Sequence, residues 1–168
     1  MRRKKNSTYL YSSFERTFGK PVGNKVRIKN LNSGKYLCPH HGCCDPSREL
    51  VQYGFNNADD KIFKLVSSGV DDSYFILSDH NNLALDVKGA SDKNGTPMVL
   101  WHAHFGDNQR FKLIKQKVRN QDCVRIVSWK TKKGLDIKDH SKTDGSKAHF
   151  WKQSGKSYSQ KWVFETVE

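Results

Sequence analysis

The sequence predicts an all-β fold built from three similar repeats, and three observations support this. From Lys25 onward, short runs of Val, Ile, Phe and Tyr alternate with polar residues, and helix-period patterns are weak. Clusters of Gly, Asn, Asp and Ser separate these runs, as expected for turns. The same order of four runs occurs three times, which predicts twelve strands.

The runs lie at matching positions in the three repeats. They occupy residues 26–28, 35–38, 49–53 and 61–65 in the first repeat, 74–76, 83–87, 98–101 and 109–113 in the second, and 124–126, 134–137, 148–151 and 160–164 in the third. One such repeat cannot bury its apolar face alone. The three repeats must therefore close on one another around a pseudo-threefold axis, which also removes exposed strand edges.

The spacing between runs is conserved from repeat to repeat. Ten residues separate Ile28 from Cys38, and the same distance separates the equivalent positions at 76 and 86 and at 126 and 136. A further fifteen residues lead to an aromatic side chain in each repeat. Three sets of equivalent side chains are predicted to form the core: Ile28, Ile76 and Ile126; Leu37, Leu85 and Leu135; Phe63, Phe111 and Trp162.

Length and charge bound the domain organisation and the partners. The chain has 168 residues and a net charge of +13, so we expect an anionic partner or surface. No apolar run approaches the ~20 residues that span a bilayer, and no secretory leader is evident. Residues 1–23 are predicted to form a basic tail that either packs on the domain or contacts anionic lipid, glycan or nucleic acid. Residues 24–168 would form one domain, with repeats at about 24–70, 71–119 and 120–168.

The four cysteines are interpreted as mostly free thiols in a reducing compartment, in a protein that is cytoplasmic or exported by an unconventional route. They are Cys38, Cys43, Cys44 and Cys123. Two histidines between Cys38 and Cys43 suggest zinc, but the spacing fits no standard structural site. We expect a thiol-rich surface loop there, with no metal and no cofactor.

Several motifs of the second repeat resemble one repeat of a ricin B-type lectin. They are Leu85-Asp86-Val87, Gly95-Thr96-Pro97, Leu100-Trp101 and Asn108-Gln109-Arg110-Phe111. Gln160-Lys161-Trp162 carries the Q-x-W motif of that family in full, and Gln109-Arg110-Phe111 carries it with Phe for Trp. The resemblance covers about residues 24–168 and implies a β-trefoil fold.

The resemblance also implies two sugar sites, each with an Asp, an aromatic platform, an Asn and a supporting Gln. The residues at those positions are Asp86, Trp101, Asn108 and Gln109 in the second repeat, and Asp136, Trp151, Ser159 and Gln160 in the third. In the first repeat, Cys38 replaces the Asp, Tyr53 the Trp, and Asp60 and Lys61 the amides. We expect that position not to bind sugar.

These residue types suit sugar recognition. A carboxylate accepts hydrogen bonds from two hydroxyls, and an aromatic ring presents its negative face to polarised C–H groups. Other readings remain open: Asp86 and Asp136 as turn residues, the tryptophans as core residues, and His104 and His149 as surface or pocket residues. Asp86 and Asp136 belong to different repeats, which places them too far apart for a glycosidase pair.

The leading hypothesis is a non-catalytic lectin with two sites of the galactose or N-acetylgalactosamine type, by resemblance, whose partners are glycans or glycoproteins. The alternative is a β-trefoil that binds heparin, other sulfated glycans or nucleic acid through its positive charge. A third is an accessory module of a toxin or enzyme that works with another chain.

Overall fold

The computed structural model of the protein describes residues 25–42 and 45–167. The predictions made for the basic tail and for Cys43 and Cys44 lie outside the described residues. Twelve strands form in the described part: β1 Lys25–Asn30, β2 Tyr36–Pro39, β3 Leu50–Tyr53, β4 Phe63–Ser67, β5 Ser73–Ser78, β6 Ala84–Val87, β7 Thr96–Trp101, β8 Phe111–Val118, β9 Gln121–Ser128, β10 Gly134–Ile137, β11 Ala148–Trp151 and β12 Trp162–Thr166. Each predicted run overlaps one of these strands, although the fourth run of each repeat begins in the 3-10 turn that precedes its strand.

Six strands close into a barrel, and six form hairpins that cap it. The first and fourth strands of each repeat pair in the closed cycle β1-β4-β5-β8-β9-β12, in which every pair is antiparallel. The second and third strands pair as the hairpins β2–β3, β6–β7 and β10–β11. Strand β7 pairs with β11, and isolated bridges join β3 to both neighbouring hairpins. This arrangement is a β-trefoil, as the sequence predicts.

The shared core contains the side chains that the repeat spacing predicts. All nine predicted core residues have no exposed surface. The rings of Phe111 and Phe150 stack in parallel with centroids 5.9 Å apart. Trp162 is the largest fully buried side chain, and its indole N–H donates to the carbonyl of Leu135 at 3.0 Å. The Trp of the third repeat therefore finds a hydrogen-bond partner that the Phe of the other repeats does not require.

The described residues contain neither a membrane-spanning helix nor a cluster of metal ligands. No helix in this part of the chain is long and apolar enough to span a membrane. Residues 25–42 and 45–167 also contain no group of three or more His, Cys, Asp or Glu side chains placed to hold a metal ion. Cys38 and Cys123 are buried free thiols, and burial raises the pKa of Cys38 to about 12.

Substitution of Trp162 by Phe tests the contribution of the indole N–H to stability. Trp162→Phe leaves the Leu135 carbonyl buried without its partner and creates a small cavity. We expect the free energy of unfolding to fall by about 1–3 kcal/mol. Urea denaturation measures this change, and Trp129→Phe, at a half-buried surface position, is the matched control. Equal losses in the two variants would contradict the assignment.

Candidate functional site

The second-repeat site consists of a buried carboxylate beside an exposed indole. Asp86 lies on β6 with 3% of its surface exposed, and Trp101 ends the paired strand β7 with 41% exposed. Asn108 Nδ2 donates to Asp86 Oδ1 at 2.9 Å, and Gln109 Nε2 donates to Asp86 Oδ2 at 2.8 Å. The structure therefore brings the three predicted polar residues of this repeat into contact and places Trp101 at the end of the strand that pairs with β6.

Gln109 joins the carboxylate to the loop that follows the platform strand. Its Nε2 also donates to the carbonyl of His102 at 2.9 Å, and its Oε1 accepts from the backbone N–H groups of His104 and Phe105. Every polar atom of the Gln109 amide is thus engaged while the side chain is fully buried. A glutamine suits this position because one amide donates and accepts at the same time.

The third-repeat site repeats this arrangement with a different amide partner. Asp136 on β10 is 4% exposed, and Trp151 at the end of β11 is 43% exposed. Gln160 Nε2 donates to Asp136 Oδ2 at 3.0 Å and to the carbonyl of Lys152, also at 3.0 Å. Ser159 Oγ donates to Asp136 Oδ1 at 2.6 Å, so a hydroxyl does what the Asn108 amide does in the second repeat.

The platform indole of Trp151 stands over a glycine of the preceding repeat. Gly95 has φ of +88°, a conformation that side chains other than glycine rarely adopt. A Cβ atom at Gly95 would lie 3.8 Å from the Trp151 ring. The backbone N–H of Gly95 donates to the carbonyl of Phe150, one residue before the indole. This contact between repeats holds the base of the platform while the ring remains exposed.

A cleft of about 440 Å³ opens at the third-repeat site. Asp136, Trp151, His140, His149 and Lys152 are among its lining residues. The ring of His149 stacks on Trp151 with centroids 5.5 Å apart, and burial lowers the pKa of His149. His149 was singled out in the sequence, and it lines this cleft.

His140 was missed by reasoning from the motif. Its Nδ1 lies 2.7 Å from Ser159 Oγ, and its ring lines the cleft. The repeat-equivalent residues are Gly42 and Ala90, so a departure from the repeat pattern was the only available signal. At the second-repeat site, His104 Nε2 lies 3.7 Å from Asp86 Oδ2.

The first repeat keeps a hydrogen-bond donor at the glutamine position but lacks the acceptor. Cys38 is buried where the other repeats hold a carboxylate, and the buried Lys61 replaces the glutamine. Lys61 Nζ donates to Asn56 Oδ1 at 2.8 Å and lies 3.4 Å from Asp60 Oδ1. An ammonium group only donates, so it cannot accept from the loop N–H groups as Gln109 does. Tyr53 remains partly exposed, with no carboxylate at position 38.

The comparisons with known proteins agree with this architecture. A family model described as ricin-type beta-trefoil lectin domain-like matches residues 15–101, just over half of the chain. The chain belongs to this family. No curated protein sequence matches it.

Solved structures with the same fold include a designed protein, a fungal lectin and a bacterial enzyme. The designed threefold-symmetric protein ThreeFoil superimposes with a TM-score of 0.79 at 24% identity, over 86% of this chain and 99% of that one. The ricin B-like lectin of Macrolepiota procera in complex with lactose gives 0.70 at 17% identity, over 88% and 99%. An exo-β-1,3-galactanase from Clostridium thermocellum gives 0.79 at 26% identity, over 88% of this chain but 31% of the enzyme. For this chain, the ricin-type lectin fold indicates carbohydrate binding as the general function.

The environment of Asp86 sets the pH dependence of the second-repeat carboxylate. Burial raises the pKa of Asp86, while the hydrogen bonds from Gln109 and Asn108 act in the opposite direction. Asn108→Ala removes one of these donors, so we expect the pKa of Asp86 to rise further. The protonated form would then persist to higher pH. A pH titration of the Asp86 carboxyl carbon by nuclear magnetic resonance measures the shift, with Asn57→Ala as control. A titration midpoint that is unchanged or lower in Asn108→Ala would contradict this.

Proposed function

We propose that this protein is a non-catalytic lectin that binds terminal galactose or N-acetylgalactosamine at two sites, one in the second repeat and one in the third. One observation carries the proposal. In both repeats a buried carboxylate, fixed by a glutamine amide, lies beside an exposed indole at the end of the paired strand. Burial of the carboxylate favours a fixed acceptor geometry over a solvated surface charge.

Each site offers the contacts that a pyranose requires. The Asp86 carboxylate accepts from two neighbouring hydroxyls, and these charge-assisted bonds are stronger than neutral ones. The exposed face of Trp101 packs against the less polar C–H face of the ring. Asn108 both donates and accepts, and Gln109 holds the carboxylate in place. Asp136, Trp151, Ser159 and Gln160 have the corresponding roles in the third repeat.

Several features support the sugar class and the absence of catalysis. The structurally similar fungal lectin was solved with lactose, and the similar bacterial enzyme is a galactanase. Both names point to galactose-containing ligands for this fold. The two candidate carboxylates, Asp86 and Asp136, belong to separate sites in different repeats. A glycosidase needs two carboxyl groups within ~10 Å of one bond. We further propose that the first repeat does not bind sugar, because Cys38 and Lys61 offer no acceptor pair.

Removal of the carboxylates tests the two-site proposal. Asp86→Ala is expected to abolish lactose binding at the second-repeat site and to halve the number of sites measured by isothermal titration calorimetry. Asp136→Ala should do the same at the third-repeat site, and the double variant should bind no lactose. Asp92→Ala, in an exposed loop, is the matched control. Lactose binding that is unchanged in the double variant would overturn the proposal.

A second candidate ligand is an anionic glycan, and one surface feature favours it. Between the second and third repeats, aromatic and cationic side chains alternate. The Arg110 guanidinium lies over Phe75 and over Trp129, 5.6 Å from each ring centroid. Trp129 also contacts a second cation, because Lys132 Nζ lies 4.7 Å from the centroid of its ring. Phe105, in the loop beside the second-repeat site, contacts Phe75 edge to face. Such alternation suits a sulfated or carboxylated glycan.

The fold itself does not require this stack. The residues equivalent to Trp129 are Leu31 and Asp79. In all three, the backbone N–H donates to the carbonyl of the residue just before the fourth strand of a neighbouring repeat. The accepting residues are Lys161 for Leu31 and Ile62 for Asp79, so the same backbone hydrogen bond forms without a tryptophan or an arginine at these positions. We therefore propose that this basic surface adds affinity for anionic glycans or anionic membranes next to the second-repeat site.

Salt dependence separates the two kinds of binding. Binding of heparin through the charge of Arg110 and Lys132 should weaken steeply as salt rises, because counterions screen exposed charges. Lactose binding should change little between low and moderate salt. Arg110→Ala/Lys132→Ala is expected to reduce heparin binding and its salt slope, with Lys156→Ala as control. A heparin affinity that is unchanged in the double variant would contradict the assignment of this surface.

A further inference from the structure

We propose that His140 is a ligand-binding residue of the third-repeat site, where it and Ser159 together take the place that Asn108 has in the second repeat. This inference rests on the two-site lectin proposal and names a residue that the family resemblance does not supply. Three independent observations carry it: the hydrogen bonds of Ser159, the backbone conformation at His140, and the contrast with His104.

Ser159 is too short to do the work of Asn108 alone. The Asn108 amide donates to the carboxylate through Nδ2 and keeps its oxygen as a second polar atom for a ligand. The Ser159 hydroxyl, 1% exposed, donates to Asp136 at 2.6 Å and is covered by its neighbours. His140 Nδ1 lies 2.7 Å from the same hydroxyl, and its ring lines the cleft beside Asp136. The imidazole therefore places a polar atom in the cleft, which the buried serine hydroxyl cannot reach.

The number of protons fixes the polarity of the imidazole. A serine hydroxyl has one proton, and an ionised Asp136 carboxylate can only accept, so the Ser159 proton lies on that bond. Two groups can donate to the lone pairs of Ser159 Oγ: His140 Nδ1 at 2.7 Å and Ser157 Oγ at 2.9 Å. We assign Nδ1 as a donor, because an Nδ1 lone pair at this distance would repel the Ser159 oxygen. The neutral ring consequently keeps an unprotonated Nε2, which makes no hydrogen bond within the described residues. This nitrogen is an acceptor for a sugar hydroxyl.

The backbone at His140 indicates that packing does not explain the side chain. His140 has φ of +52°, in the left-handed region that glycine adopts most readily. The equivalent Ala90 and Gly42 have φ of +51° and +61°, so the turn forms without an imidazole. Asn32 Nδ2 of the first repeat also donates to the carbonyl of His140 at 3.1 Å, which fixes this turn.

The histidine of the second-repeat site has the opposite polarity. His104 Nδ1 accepts from the backbone N–H of Gly106 at 3.0 Å, so its proton lies on Nε2, 3.7 Å from Asp86 Oδ2. His104 thus donates toward its carboxylate, whereas His140 offers an acceptor. The two sites consequently differ in hydrogen-bond pattern, although both have the Asp, the Trp and the Gln of the motif.

The test uses the full chain with Asp86→Ala, so that only the third-repeat site binds lactose. In that background, His140→Gly should weaken lactose binding about 3- to 10-fold, the effect of one lost hydrogen bond. The unfolding temperature should not fall, because glycine adopts the left-handed conformation without strain. His80→Ala, outside both sites, is the matched control.

A rescue variant separates a ligand contact from a structural effect. His140→Gly/Ser159→Asn rebuilds the amide of the second repeat, and we expect it to regain the lactose affinity that His140→Gly loses. Equal lactose affinity in His140→Gly and its parent would overturn the role of His140 alone. If the Asp86→Ala parent itself binds no lactose, the two-site function and this inference both fail.

Discussion

Three sets of equivalent apolar side chains share one core, and each repeat supplies only a third of it. Leu37, Leu85 and Leu135 are fully buried at corresponding places, and the six barrel strands close without a free edge. This shared packing constrains the strands far more than the loops between them, because every change in a core position affects all three repeats. The loops at the ends of β3, β7 and β11 are free to differ. The polar side chains of these loops therefore determine which repeats can bind a ligand.

The glutamine of the Q-x-W motif links the core to the site. Gln109 and Gln160 hold a buried carboxylate with one end of the amide and the platform loop with the other. Lys61 occupies the same place in the first repeat and only donates, so the loop there supplies Asn56 as an acceptor and the carboxylate is lost. The change from an amide to an ammonium thus accompanies the loss of the acceptor at this position and of the neighbouring carboxylate.

The sequence was sufficient to predict the twelve strands, the nine core positions and the association of Asp86 and Asp136 with their aromatic and amide partners. The strands and core positions recur in three copies that reinforce one another, and the site residues recur in two, where the family resemblance assigns them. Contacts that occur once could not be found in this way. His140 meets Ser159 from a different loop, at a position where the other repeats have Gly42 and Ala90, and the stack of Arg110 on Trp129 has no counterpart. The predicted basic tail lies outside the described residues and stays a prediction.

The four tryptophans provide a direct test of where sugar binds. Trp101 and Trp151 are the exposed platforms, Trp162 is in the core, and Trp129 is in the cationic stack between repeats. Their indole N–H groups give separate signals in a ¹H–¹⁵N correlation spectrum of the labelled chain. Titration with lactose should shift the signals of Trp101 and Trp151 in a saturable manner and leave those of Trp129 and Trp162 nearly unchanged. Saturable shifts confined to Trp129, or no shift at Trp101 and Trp151, would contradict a lectin with two carboxylate–indole sites.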